Sequence, residues 1–173
     1  ISVPSNSVLT SDPFFLQGEE KSDHRHFSLS SGNYKYIIET QLFFKQQDNP
    51  VFYGGFLTYE HPIQENKYNY LAPPVLNLSL SATFKRFDER DSSLGYGLGI
   101  LQSGHGYWNG VKEPNSKSLS VSPTLSYLIN SQFGALSFNI SKPYFLKGAF
   151  KTNEGDVGQG SNIWQFTVSF RKV

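Results

Sequence analysis

The stretch 76–84 constrains the fold more than any other part of the sequence, because it alternates apolar and small polar residues over nine positions. Successive side chains of a β-strand point to opposite faces, so this order places one class of residue on each face. A helix would mix the two classes. The polar class is Asn, Ser and Thr, without the Lys and Glu that are typical of a water-facing strand. We therefore expect a strand whose apolar face meets an apolar environment.

Two environments fit such a strand. In a transmembrane β-barrel, lipid covers the apolar face and bonds between strands satisfy the backbone, while small polar side chains face the interior. In a secreted, soluble β-sandwich, the apolar face packs against a second sheet and the Ser-rich face meets water. We favour the barrel for the reasons below and keep the sandwich as the alternative.

Composition limits the number of domains and points to a solvent other than water. The 173 residues suit one domain of about eight strands. Charged residues make up 17% of the chain, and soluble domains have roughly 25%. Aromatic residues reach 16%. No run approaches the length of about 18 apolar residues that a membrane-spanning helix needs, so the sequence predicts no such helix.

The order of strands and connections carries the most information about topology. Alternation predicts strands at 34–45, 51–60, 76–87, 93–100, 118–128, 136–140 and 164–170. Short turns near 46–50, 88–92 and 130–133 alternate strictly with long connections at 61–74, 104–117 and 145–161. Outer-membrane barrels show this alternation, with tight periplasmic turns and long outer loops.

We therefore predict an all-β, antiparallel, up-and-down transmembrane β-barrel of about eight strands. The barrel spans 34–173, and residues 1–33 form a poorly defined segment that supplies a first strand, near 8–17, and a loop. Pro123 conflicts with a closed barrel, because a central strand has no place for a residue without a backbone N–H. We expect a bulge or a local break at Pro123 in this strand.

Aromatic residues gather at the ends of the predicted strands. Tyr34, Tyr36, Tyr59, Tyr144 and Trp164 lie toward the long connections, and Phe44, Phe52, Phe84, Phe87, Tyr127, Phe133 and Phe170 lie toward the short turns. Aromatic side chains favour the two membrane–water interfaces. We therefore predict that these two groups form two aromatic belts, one at each interface. A general preference of strands for aromatic residues explains their number but not this banding.

From about residue 34 to its end, the chain resembles bacterial outer-membrane β-barrels. The last strand, 164–170, has aromatic residues at alternate places, like the terminal strand by which such barrels are recognised for insertion; here Arg171, Lys172 and Val173 follow the final aromatic. The stretches 49–54, 95–99 and 142–144 are similar to parts of outer-membrane transporters associated with aromatic-compound degradation. The resemblance implies a bacterial outer-membrane location and a role in small-solute transport or binding. Adhesion through the long outer loops is a further expectation.

Two sets of residues are candidates for function. The charged residues Lys35, Glu39, Lys45, Lys85 and Arg171 are expected inside the barrel, where they can pair with one another. His105, Tyr107 and Trp108 lie on a glycine-rich long connection and are expected to bind a ligand. In the sandwich alternative, the flat rings of Tyr107 and Trp108 stack on a carbohydrate.

Catalysis, cofactors and metals find little support in the sequence. No Ser–His–acid arrangement is fixed, so we name no catalytic residue and favour a protein that is not an enzyme. The glycines 95, 97 and 99 lack the following helix of a nucleotide-binding loop. The polar run with His24 and His26 is interpreted as a solvated loop, and Asp156 lacks further ligands for Ca²⁺, so we expect neither a cofactor nor a metal. With a net charge of +1, the expected partners are membrane lipid and a small-molecule solute, not nucleic acid.

Overall fold

The fold is all-β and antiparallel over the residues that the computed structural model describes, which are 1, 30–45, 47, 50–85, 91–113, 116–148 and 163–172. Among these residues, no helix is long and apolar enough to cross a membrane. The strands are β1 (Lys35–Lys45), β2 (Val51–Pro62), β3 (Tyr70–Leu71), β4 (Val75–Lys85), β5 (Ser92–Ser103), β6 (Tyr107–Trp108), β7 (Val111–Lys112), β8 (Ser118–Ser131), β9 (Gly134–Ser141), β10 (Tyr144–Lys147) and β11 (Gln165–Arg171).

Seven long strands form one meandering sheet in the order β1-β2-β4-β5-β8-β9-β11, and β10 pairs with β8. Each long strand pairs antiparallel with the next long strand in the sequence, as predicted. Over the described residues this sheet is open, since β1 pairs only with β2 and β11 only with β9. The predicted strand near 8–17 lies outside the described residues.

A small second sheet, β3-β6-β7, extends the β4–β5 hairpin. Val75 pairs with Ser103 at the end of that hairpin, and Tyr70 pairs with Trp108 in the same register. Between the two ladders the Gly104 N–H donates to the Pro74 carbonyl at 2.8 Å. The connections at 61–74 and 104–117 were predicted only as long, and part of each continues the hairpin. We call residues 66–74 and 104–113 the extension.

Pro123 lies beside a break in its neighbouring strand. Strand β8 pairs with β9 from Thr124 to Ser131 and with β10 from Leu119 to Val121, so the partner strand changes at Pro123. The Lys142 N–H donates to the Pro123 carbonyl at 3.2 Å. Because the N–H and C=O groups of a paired residue point to the same neighbour, the missing N–H of Pro123 faces this break. Strand β8 itself continues through Pro123, so the break lies in its partner strands and not at Pro123, where it was expected.

The buried apolar residues of the described chain lie mostly in the extension. Tyr70, Ala72 and Trp108 form a buried cluster, and Tyr68 packs against it. In the large sheet, Val51 is the buried apolar residue of the described part. The large sheet thus has almost no packed core of its own, and both of its faces are available to other surroundings.

Candidate functional site

The large sheet has one continuous apolar face, which follows from the strand register. Residues directly opposite each other in antiparallel strands share a face, so the alternate positions of all seven strands join. The large apolar residues on this face are Tyr36, Ile38, Leu42, Phe44, Tyr53, Leu57, Tyr59, Leu76, Leu78, Leu80, Phe84, Leu94, Tyr96, Leu98, Ile100, Leu119, Val121, Leu125, Tyr127, Ile129, Leu136, Phe138, Ile140, Phe166, Val168 and Phe170.

This apolar face is exposed, and along the seven long strands it carries no acidic or basic residue of the Asp, Glu, Lys and Arg types. None of its positions in the seven strands is Asp, Glu, Lys or Arg. Leu42 is 72% exposed in one edge strand, Phe166 is 73% exposed in the other, and Leu80 is 46% exposed at the centre. Soluble monomers rarely leave so large a contiguous apolar surface uncovered. Within the described part of the chain, no second layer packs against it.

The opposite face is built largely from small polar residues and glycine. Its small residues are Gly54, Thr58, Asn77, Ser79, Ser81, Thr83, Ser93, Gly95, Gly97, Gly99, Ser103, Ser118, Ser120, Ser122, Thr124, Ser126, Asn130, Ser137, Asn139, Ser141, Gln165, Thr167 and Ser169. Packing on this face is close, because a side chain at Gly95 would meet the Ser126 hydroxyl directly. We call it the polar face.

Every Asp, Glu, Lys and Arg of the seven long strands lies on the polar face by register. This set contains Lys35, Glu39, Lys45 and Arg171, four of the five residues expected inside a barrel, and also Glu60; for the fifth, Lys85, only the backbone position in β4 is described. Lys35 Nζ lies 3.3 Å from Glu60 Oε2, and the Gln41 side-chain amide donates to Glu39 at 2.9 Å. The interior position of these residues stays a prediction, but their separation from the apolar face is complete.

Strands β1 and β2 add a group of large apolar side chains to the polar face. Phe43 and Phe52 stack there with ring centroids 5.7 Å apart, and the register places Ile37 and Phe56 on the same face. The sequence prediction had assigned Phe52 to an aromatic belt. The polar face is therefore bulky at β1–β2 and lined mostly by small residues from β4 to β9, where Leu101 and Leu128 are exceptions.

The predicted ligand-binding residues His105, Tyr107 and Trp108 all lie in the extension. The Trp108 ring is 4% exposed, and its centroid lies 4.6 Å from that of Tyr70. Trp108 therefore serves as a packing residue of the extension. Tyr107 is half-buried and pairs with Leu71 and Lys112. Ligand binding by these three residues stays a prediction, with Trp108 the least accessible of them.

Two buried asparagines fix the extension and were not singled out by the sequence analysis. Asn33 donates to the carbonyls of Gln64 and Tyr70, both at 2.8 Å, and accepts a bond from the Ala72 N–H at 3.2 Å. Asn66 accepts bonds from the N–H groups of Tyr68 and Tyr70. Asn33 thus satisfies the free edge of β3, as a neighbouring strand would.

The turn that ends the extension had a clear signal in the sequence. Asn109 and Gly110 connect β6 to β7 and have φ angles of 50° and 72°. Both central residues of a type I′ turn need positive φ, and Asn-Gly is the pair that provides it most easily. This dipeptide, flanked by Trp108 and Val111, is the local signal for a hairpin within the long connection 104–117, where we predicted none.

The extension changes the acid–base behaviour of His105. Burial lowers the pKa of His105 below its ordinary value of 6.5, and the charges of Lys112 and Lys117 lower it further. Its Nδ1 is buried without a hydrogen-bond partner among the described residues. Nearby, Glu113 is buried with its carboxylate against Gly106. The extension therefore favours the neutral imidazole.

Aromatic residues at the long-connection end of the apolar face form close groups. On β1–β2, the Tyr36 ring lies against Tyr59 and His61, and the Tyr59 hydroxyl is 3.1 Å from His61 Nδ1. Near β10 and β11, the Lys142 ammonium lies over the Tyr144 and Trp164 rings. Aromatic groups therefore lie on the β1–β2 pair and also beside β10 and β11.

Within the described residues, no group of three or more His, Cys, Asp or Glu could hold a metal ion. His24, His26 and Asp156 lie outside these residues. Comparison with protein-family models, with curated proteins and with solved structures gave no match.

Proposed function

We propose that this chain forms the wall of a β-barrel that spans the bacterial outer membrane and binds or passes small solutes along its inner face. The observation that carries the proposal is the segregation of charge. All Asp, Glu, Lys and Arg residues of the seven long strands lie on one face, and the other face is apolar and exposed. Lipid requires an uncharged outer face, because a charge at mid-bilayer costs about 2–4 kcal/mol.

The strand lengths suit a bilayer. Strand β4 has 11 residues, which extend about 36 Å at roughly 3.3 Å per residue. At a tilt of about 45° such a strand covers about 26 Å, close to the apolar band of about 25 Å in outer-membrane barrels.

Strand direction limits how the sheet can close. Strands β1 and β11 both run from the long-connection end to the short-turn end, so they cannot pair antiparallel with each other. Closure by antiparallel pairing needs an odd number of further strands between them. The single strand expected within residues 1–33 meets this condition and gives the even number that is usual for such barrels.

The polar face supports contact with solutes. Its Ser, Thr and Asn side chains offer hydrogen-bond donors and acceptors, and Lys35, Glu39 and Arg171 add charge. An eight-stranded barrel has an interior just wide enough for its own side chains. Binding of a small solute is therefore the function of a barrel of this size, and passage belongs to a larger one.

The soluble carbohydrate-binding sandwich remains the alternative, but no specific contact favours it. It needs a second sheet over the apolar face, and the described residues place nothing there. It also needs Trp108 at the surface, but Trp108 is only 4% exposed.

Vesicle binding tests the proposal. The purified full chain should need detergent to stay monodisperse, and after reconstitution it should float with lipid vesicles and resist extraction by high salt and alkali. A protein that is monodisperse in detergent-free buffer would overturn the proposal. Single-channel recording in a planar bilayer then separates the two roles, since conductance steps indicate passage and a silent barrel indicates solute binding.

A further inference from the structure

An apolar groove crosses the exposed face of the sheet between β8, β9 and β11. It holds about 210 Å³, and its apolar lining includes Leu125, Tyr127, Phe138, Ile140, Phe166 and Val168. No charged residue lines it. All six side chains belong to the apolar face, so under the function proposed above this groove opens toward lipid.

A lysine lies at the long-connection end of this groove. Lys142 follows Ile140 by two residues, and Trp164 precedes Phe166 by two, so both lie roughly 6.6 Å beyond the groove along their strands. The Lys142 Nζ is 5.1 Å from the Trp164 ring centroid and 5.4 Å from that of Tyr144. Tyr144 pairs with Val121 on the apolar face. The three side chains therefore form a cationic rim on the apolar face.

The backbone holds this lysine in place. The Lys142 N–H donates to the Pro123 carbonyl, and the following Pro143 is buried. Lys147 lies farther along β10, paired with Leu119. Among the described residues, neither Lys142 nor Lys147 forms an ion pair. Their positive charge is thus available to an anion that approaches along the apolar face.

We propose that the groove and its cationic rim bind an anionic phospholipid, with the phosphate at Lys142 and an acyl chain along the groove. This inference rests on the proposed membrane-spanning function. A lysine at a membrane surface attracts anionic headgroups, and the two rings orient it because aromatic side chains favour the interface. We choose a lipid because the site combines a lysine charge with an apolar groove. A free phosphate would contact the lysine but could not fill the groove.

Quenching of Trp164 by brominated phospholipids tests this inference. The chain has two tryptophans; Trp108 is buried, whereas Trp164 is 51% exposed at the rim. The full chain is reconstituted with brominated phosphatidylglycerol or brominated phosphatidylcholine of identical acyl chains, each diluted into unbrominated lipid. We expect the anionic lipid to associate about fivefold more strongly. The Trp164→Phe variant should lose the quenching, which assigns the signal to Trp164.

Lys67 provides the matched control. Its ammonium lies 5.0 Å from the Tyr68 centroid, in the same kind of contact, but on the extension and away from the groove. Lys142→Ala should abolish the preference for the anionic lipid, Lys142→Arg should keep it, and Lys67→Ala should leave it unchanged. Equal quenching by both lipids in the wild-type chain would overturn the lipid site while supporting membrane contact. A Lys142→Ala variant that keeps the preference would also overturn the lipid site. Absence of quenching by either lipid would overturn the membrane-spanning function itself.

Discussion

Asn69 and Asn109 bind each other at the tip of the extension. The Asn109 N–H donates to the Asn69 carbonyl at 2.9 Å, and the Asn69 side-chain amide donates to Asn109 Oδ1 at 2.9 Å. Both residues are in the left-handed region, with φ angles of 59° and 50°. This region costs most residues roughly 1–2 kcal/mol, but Asn and Gly adopt it more readily. The two asparagines thus provide both the backbone conformation and the contact that joins the two connections.

Replacement of Asn109 separates these two contributions. Asn109→Ala should destabilise the extension by about 2–3 kcal/mol, because it loses a hydrogen bond and forces alanine into positive φ. Asn109→Gly loses only the hydrogen bond and should cost about 1 kcal/mol. Amide hydrogen exchange at Tyr70 and Trp108 measures both losses. Equal losses for alanine and glycine would show that the backbone conformation contributes nothing.

Leu80 tests whether lipid covers the apolar face. Leu80 lies in the middle of β4, paired with Gly55 and Leu98. Leu80→Arg should destabilise the protein in vesicles by about 2–4 kcal/mol, whereas Leu80→Ala should cost under about 1 kcal/mol because lipid refills the space. Reversible denaturant unfolding provides both values. A Leu80→Ala loss above about 2 kcal/mol is the signature of a protein cavity and would argue for a packed core instead.

Gly134 and Gly110 form a pair for testing how tightly β9 packs against β11. Both have positive φ, at 141° and 72°. A side chain at Gly134 would run into the Arg171 carbonyl and lie 3.0 Å from the Phe170 ring, whereas a side chain at Gly110 meets nothing within 4 Å. Gly110→Ala should cost about 1–2 kcal/mol from backbone strain. Gly134→Ala should cost about 1–3 kcal/mol more from crowding, measured by the same unfolding experiment. Similar losses at the two sites would contradict the tight pairing of β9 with β11.

His105 makes the stability of the extension depend on pH. Its folded-state pKa is lowered by burial and by Lys112 and Lys117, so the unfolded chain binds the proton more readily. The extension should be most stable above pH 6.5, should lose stability as the pH falls below that value, and should change no further below the folded-state pKa. Hydrogen exchange at Trp108, compared at pH 8 and pH 5, measures this change.

Two variants check the cause of this pH dependence. His105→Gln cannot titrate and should remove the part of the change that is due to His105. Lys112→Gln removes one of the two lysine charges and should reduce the change without abolishing it. An unaltered pH profile in His105→Gln would assign the effect to other groups.

The long strands could be predicted because each has one largely apolar face and one largely polar face. Alternation at 76–84 predicted β4 to within a few residues of its observed bounds, Val75–Lys85. The short turns and long connections were also predicted, because polar turn residues interrupt the alternation. Pro123 signalled the break beside β8, since its missing N–H cannot serve a continuous ladder.

The extension could not be predicted in the same way. Strands β3 and β6 have two residues each, too few for any alternation to be read. The burial of Trp108 depends on Tyr70, which is distant in the sequence, so a ring expected on the surface became a packing residue. Only the dipeptide Asn109-Gly110 carried a local signal. The sequence carried no local signal for the side-chain hydrogen bonds of Asn33 to β3, because an asparagine in a connection resembles any other turn residue.

The shared register of the extension and the β4–β5 hairpin sets an order of folding events. Tyr70 and Trp108 are separated in the sequence by the whole hairpin. Once the ladder from Val75 to Ser103 has formed, their pairing closes only a short loop and loses little chain entropy. The extension therefore closes last in this part of the chain. Burial of the Trp108 ring is a kinetic marker for the completed hairpin, and its fluorescence change should follow β4–β5 pairing and never precede it.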